Sequence, residues 1–254
     1  MNSEGKIPKP SSARNFAASQ SATPSDFGLR TWFGFRTSEF GLKTASTTLA
    51  ALGFAFALGA GEAKPAFENN FEKEKPGGVP EGFLVIDGGF AVKEEGGNKF
   101  LELPGDPLDT FGVMFGPAQL DGVAVSARIR SESKGRRVPA FGVSLNGVGG
   151  YRLQFSGNKR ALEIFRADEP QTSVPFTWES GSWLDLKLQV RKVKDGEWAV
   201  EGKAWKHGAP EPKEWTITLK AAEAPPEGRP AIWGNPFAGT PIQFDDLRVA
   251  PIGK

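Results

Sequence analysis

The sequence predicts an all-β protein: a two-sheet antiparallel β-sandwich, with a signal-type helix N-terminal to the domain and outside it. Three observations carry this expectation. Beyond Pro65, apolar and polar residues alternate with a period of two in one run after another, the pattern of strands that bury one face and wet the other. Turn-forming pairs containing glycine separate these runs. The runs are also too many for one open sheet, so two facing sheets are needed to bury their apolar sides.

The alternation is explicit along the chain. Val123, Val125, Ala127 and Ile129 are interleaved with Ala124, Ser126 and Arg128. Phe141, Val143 and Leu145 alternate with Gly142 and Ser144, and Tyr151, Leu153 and Phe155 with Arg152 and Gln154. Leu184, Leu186, Leu188 and Val190 alternate with Asp185, Lys187 and Gln189; Trp198, Val200 and Gly202 alternate with Ala199 and Glu201. Between the runs lie Asp87-Gly88, Gly96-Gly97, Asn146-Gly147 and Asp195-Gly196, which supply the positive φ of tight hairpins. No helix-period segment of useful length follows residue 66.

Composition narrows the function classes. The chain of 254 residues carries 31 basic and 30 acidic side chains, a balance that leaves no broad basic face for nucleic acid. It has no Cys, which excludes disulfides, thiol catalysis and zinc–thiolate sites. A single His makes a histidine-based metal site or a triad hard to assemble.

The first 63 residues read as an address. Thr47 to Ala60 is apolar and uncharged, about the length of a signal-peptide core and short of the roughly 18 residues that span a bilayer. Lys43 provides the positive flank, and Gly61 and Ala63 offer small residues for cleavage before Lys64. The expected organisation is residues 1–41 as a disordered leader or sequence upstream of the true start, 42–63 as signal peptide and 64–254 as the domain. Export to a periplasmic or extracellular location follows, with no membrane span left after cleavage.

The closing strands carry a resemblance. Lys203-Ala-Trp205 runs through a Gly/Pro turn to Trp215, and Phe244-Asp-Asp-Leu-Arg-Val249 ends the domain. Together they resemble the closing strands of the concanavalin A-like lectin/glucanase superfamily, in its LamG-like jelly-roll form, over residues 66–252. The resemblance implies two curved sheets in jelly-roll order, with Phe67 to Phe71 as an opening strand near the closing one. It also implies a scaffold for meeting carbohydrate or a cell-envelope surface. Gly150-Tyr-Arg-Leu-Gln-Phe155 and Phe244 to Val249 are similar to segments of secreted bacterial 3-keto-disaccharide hydrolase-like domains. Phe141-Gly-Val-Ser-Leu145 departs from the central pattern of that family.

Candidate chemistry is sparse. The Glu-x-Asp-x-x-Glu pattern of laminarinase-like enzymes is absent, so no catalytic residue is expected; a carboxylate pair, if any, would be Glu163 with Asp185. His207 sits in a Gly/Pro turn among lysines and reads as a surface residue without catalytic company. The outward set Arg128, Arg152, Gln154, Lys187 and Gln189 is suited to a polyhydroxylated ligand, beside a low floor at Ala140, Gly142 and Ser144. Trp205 is the expected aromatic platform, with Tyr151, Phe165 and Trp183 as further candidates. The basic hairpin tip Lys134-Gly-Arg-Arg137 offers charge to an anionic surface.

Asp245 and Asp246 interrupt the parity of the last strand. Ile242 and Phe244 point one way, and Leu247 and Val249 share that side only if an extra residue intervenes. A β-bulge at the two acids is therefore expected. Its splayed oxygens would suit a structural Ca²⁺, with Asp245 and Asp246 as ligands.

Overall fold

The computed structural model describes residues 64–105, 111–237 and 239–253. The expectations for the leader, the apolar segment and the cleavage point fall on residues 1–63 and lie outside the described residues. The chain begins with β1 (Phe67–Asn69), β2 (Leu84–Asp87), β3 (Ala91–Glu95), β4 (Asn98–Leu103) and β5 (Phe111–Met114). It continues through β6 (Val123–Ser131), β7 (Ala140–Leu145), β8 (Tyr151–Ser156), β9 (Ala161–Arg166) and β10 (Glu169–Pro175). The last strands are β11 (Leu184–Lys194), β12 (Glu197–Lys206), β13 (Ile217–Ala221), β14 (Ala231–Asn235) and β15 (Ile242–Pro251). Among the described residues the helical structure is a 3-10 turn at Gly157–Lys159, and no helix is long and apolar enough to cross a membrane.

The strands form two antiparallel sheets, as the alternation predicts. An eight-stranded sheet runs β13-β12-β11-β6-β15-β4-β3, with β1 also paired to β15. A seven-stranded sheet runs β10-β9-β8-β7-β14-β5-β2. The opening strand lies against the closing one, Phe67 opposite Val249 and Asn69 opposite Leu247.

The apolar positions read from the sequence line the space between the sheets. Val125, Ile129, Leu186, Leu188, Val190, Phe244 and Val249 come from one sheet, and Phe141, Val143, Leu145, Leu153, Leu162 and Ile164 from the other; none is solvent-exposed. Each such side chain contributes roughly 1.5–3 kcal/mol by leaving water. Tyr151 also belongs to this core, at 1% exposure. It is therefore a packing residue rather than a ligand platform.

The expected bulge is present. Asp245 pairs with Arg128, but the next register pair is Arg248 with Ser126, so Asp246 and Leu247 together oppose Ala127. Asp246 adopts φ 49°, a conformation Asp tolerates better than most residues, and its N–H donates to Asp245 Oδ1 at 2.7 Å. The extra residue returns Leu247 and Val249 to the core. It also marks a change of neighbour: β15 pairs with β4 before the bulge and with β1 after it.

Gly202 marks a point of close approach between the sheets. A Cβ on Gly202 in β12 would lie 2.5 Å from Leu153 Cδ1 in β8, on the facing sheet. Gly202→Ala should therefore overpack the interface and lower stability by about 1–3 kcal/mol, read from urea denaturation. An unchanged midpoint would mean that the interior yields freely there.

Candidate functional site

Alternation sends the polar partners of the core residues to the two outer faces of the sandwich. Asp185, Lys187 and Gln189 of β11 lie in register with Arg128, Ser126 and Ala124 of β6. Trp205 of β12 lies opposite Asp185. All of these but Arg128, with Asp246 and Arg248 of β15, surround a groove of about 1180 Å³ on the outer face of the eight-stranded sheet. Its floor is low because Ala124, Ser126 and Ala250 carry small side chains, and Trp205 forms part of its wall.

Arg128 organises one end of this groove. Its Nη2 donates to Asp245 Oδ2 at 2.5 Å and to Asn98 Oδ1 at 2.8 Å. Its Nε lies 3.0 Å from Asp246 Oδ2 in ion-pair contact, and its guanidinium carbon sits 4.9 Å from the centre of the Trp183 ring. Asp245 is fully buried, and Asn98 Nδ2 also donates to its Oδ2 at 3.0 Å. Burial pushes the Asp245 carboxyl above the ordinary range, against the pull of Asn98 and Arg128.

His207 does have company, contrary to the expectation of an isolated turn residue. Its Nδ1 lies 2.9 Å from Asp185 Oδ2, and Arg128 Nη1 lies 3.4 Å from its Nε2. These partners fit the tautomer with hydrogen on Nδ1, which donates to Asp185 and leaves Nε2 to accept. The long register of β11 and β12 brings them together: Leu184 faces Lys206, which places His207 just past the pair. Burial raises the Asp185 carboxyl above its ordinary value; His207 and Arg128 oppose this, while the charge of Asp246 adds to it.

The structure divides the expected ligand residues between two surfaces. Arg128, Lys187, Gln189 and Trp205 share the outer face of the eight-stranded sheet, whereas Arg152 and Gln154 lie on the outer face of the other. Alternation distinguishes inside from outside but does not say which sheet a strand joins. Arg152 is clamped between Phe165 and Trp233, with ring centres 4.7 and 4.5 Å from its guanidinium carbon. Gln154 accepts from Arg152 Nε at 3.2 Å and donates to Ser156 Oγ at 2.7 Å. That face, which includes Ala140, Gly142 and Ser144, is closed around Gln154 and Glu163, both nearly buried.

The same partition separates the carboxylates. Glu163 in β9 faces outward from the seven-stranded sheet and pairs with Lys159 at 3.0 Å; Asp185 faces outward from the opposite sheet. They cannot flank one substrate bond. Trp183 is likewise no open platform, since Arg128 and Phe100 pack on it.

Asp245 and Asp246, the residues expected to hold a structural Ca²⁺, lie together at the bulge. Asp245 and Asp246 both contact the Arg128 guanidinium, which supplies the positive charge a cation would bring. Among the described residues no group of three or more His, Asp or Glu side chains converges as a metal site. The contacts of the two acids are with the bulge backbone and Arg128.

Sequence reasoning also missed Glu211, which lines the groove, and Asn98 beside Arg128. Glu211 bridges Lys187 and Lys203 at 2.9 and 2.7 Å, and Lys203 Nζ sits 4.5 Å from the Trp215 ring centre. Asn98 stands at the Arg128 end, and no local sequence signal links it to β15.

No protein-family model matches the sequence, and no curated protein matches it. Solved structures do resemble it in shape. A Bacillus subtilis protein with a galectin-like fold aligns over 75% of this chain and 97% of its own, at 11% identity and a TM-score of 0.51. The carbohydrate recognition domain of Emp47p covers 76% of this chain and 98% of its own, at 11% identity and a TM-score of 0.50. That of Emp46p, in its metal-free form, covers 74% and 98%, at 11% identity and a TM-score of 0.50. The fold is thus a galectin-like jelly-roll β-sandwich of the concanavalin A type.

Two tests follow from the electrostatics. Arg128→Ala would leave Asp245 buried without its cation and should lower stability by about 3–5 kcal/mol. Arg128→Met combined with Asp245→Leu should recover most of that loss in thermal denaturation, and failure to recover would mean that the pair is not the source. Separately, the hydrogen bond from Arg191 holds the Glu201 carboxyl below its ordinary pKa. Its contribution is present above the unfolded value and is lost as pH falls through the folded one. Arg191→Ala should flatten that acid limb of the stability profile.

Proposed function

We propose that this chain is an exported module that binds carbohydrate, or a saccharide-bearing cell surface, in the groove on its eight-stranded sheet, without catalysis. The observation that carries this reading is the groove itself. An indole wall stands beside planar polar side chains over a floor of small residues. Sugars present apolar ring faces and equatorial hydroxyls together, so a ligand of that kind needs an aromatic surface and converging donors and acceptors. The apolar segment Thr47 to Ala60 supports export, and the fold shared with carbohydrate recognition domains supports the ligand class. The similarity to secreted bacterial domains near the 3-keto-disaccharide hydrolases supports a bacterial envelope setting.

One observation favours a second, catalytic reading. Asp185 and Asp246 line the same groove, and Asp185 has the raised pKa expected of a general acid. A glycoside or 3-keto-disaccharide hydrolase built here would use these two carboxylates in place of Glu163. Release of sugar products by the native chain, abolished by Asp185→Asn, would establish that reading over simple binding.

Binding itself is tested with the full chain on a glycan array, followed by titration of the best ligand. Trp205→Ala should weaken binding about tenfold or more, equivalent to about 1.4 kcal/mol. Arg152→Gln, on the opposite face, should leave it unchanged. The reverse outcome would move the site to the seven-stranded sheet.

A further inference from the structure

Resting on the binding reading above, we infer that the groove takes a neutral, linear, polyhydroxylated chain laid across the strands, and neither an acidic glycan nor a single sugar. Five of the charged side chains that line the groove, Lys187, Glu211, Arg191, Asp246 and Asp185, each have an ion-pair or hydrogen-bond partner within the chain. Lys187 pairs with Glu211 at 2.9 Å, and Arg191 pairs with Glu201 at 2.9 Å. Asp246 contacts Arg128 at 3.0 Å, and Asp185 contacts His207 at 2.9 Å. An anionic ligand that drew on Lys187 or Arg191 would have to break its pair, leaving the displaced carboxylate uncompensated beside it.

The groups with hydrogen-bonding capacity to spare are mostly neutral. Gln189 donates through Nε2 to Glu201 at 2.6 Å, which leaves its Oε1 as an acceptor. The Ser126 hydroxyl and the Asn70 amide nitrogen also line the groove without a protein partner among the described residues. Glu68 is the lining carboxylate without an ion pair there, and it adds repulsion for anions. Such a set matches hydroxyl groups, which both donate and accept.

The dimensions set the length. The lining draws on β12, β11, β6, β15 and β1, five neighbouring strands. Four inter-strand steps make a path of roughly 19 Å, several sugar rings long. The volume of about 1180 Å³ is also at or above the roughly 300–1,000 Å³ of a compact small-molecule pocket. Trp205 stands at one end of this path and Glu68 at the other.

The test is calorimetric titration of the full chain with two length series: neutral gluco-oligosaccharides and uronic-acid oligosaccharides. Affinity for the neutral series should rise as the chain grows from one ring to about four and then level off, following the roughly 19 Å path. It should change less than about twofold between about 0.1 and 1 M salt, because the screening length shortens from about 10 to 3 Å without a charge contact to weaken. Tighter binding of the uronic series, falling steeply with salt, would overturn the neutral-chain inference while leaving carbohydrate binding standing. Equal affinity for one ring and for four would overturn the linear-chain part. Binding by neither series would overturn both this inference and the binding reading.

Discussion

The ion pair between Arg128 and buried Asp245 is the constraint on which the rest of the outer face depends. Asp245 has no contact with water, and its carboxylate is 2.5 Å from the guanidinium. A charge so placed is tolerated only when paired and hydrogen-bonded. Asn98, the backbone N–H of Asp246 and Arg128 supply those bonds. Asp245 faces Arg128 in regular register, and the extra residue that β15 takes just after it returns Leu247 and Val249 to the core. One bulge thus satisfies the packing of the interior and fixes the most highly connected side chain of the exterior.

From that side chain the outer surface is laid out. Arg128 lies against Trp183, reaches Asp246, and approaches His207, whose other nitrogen meets Asp185. Together they form a ridge. On one side is the large groove with Trp205; on the other is a smaller depression of about 420 Å³ beside Arg130, Glu95 and Gln243. The groove residues beyond the ridge are held by their own pairs, so the surface proposed for a ligand is set by contacts within the chain. Preorganisation of this kind reduces the ordering cost of binding.

Much of this fold was legible in the sequence because period-two alternation is a direct imprint of one-sided burial. Val123 to Ile129, Tyr151 to Phe155 and Leu184 to Val190 each became the strand they spell. The bulge was legible for the same reason: counting parity from Phe244 to Leu247 leaves one residue over. Other features had no local imprint. Alternation cannot assign a strand to a sheet, so it leaves Arg152 and Gln154 in one outward set with Arg128 and Lys187, although the sandwich puts them on opposite faces. The short strand Ala231–Asn235, with Gly234 inside it and prolines on both flanks, carries little pattern. The pairing of His207 with Asp185 depends on the register of a long hairpin across 22 positions. Residue type alone left His207 as a turn histidine.

The central claim is that the ligand lies across the eight-stranded sheet beside Trp205, on the surface organised by Arg128. A crystal structure of the chain with a bound neutral oligosaccharide tests it most directly. The account predicts saccharide density over Ser126, Gln189 and Trp205, running across β11, β6 and β15, with the Arg128–Asp245 pair intact beside it. Density over Arg152 and Trp233 on the seven-stranded sheet would contradict it.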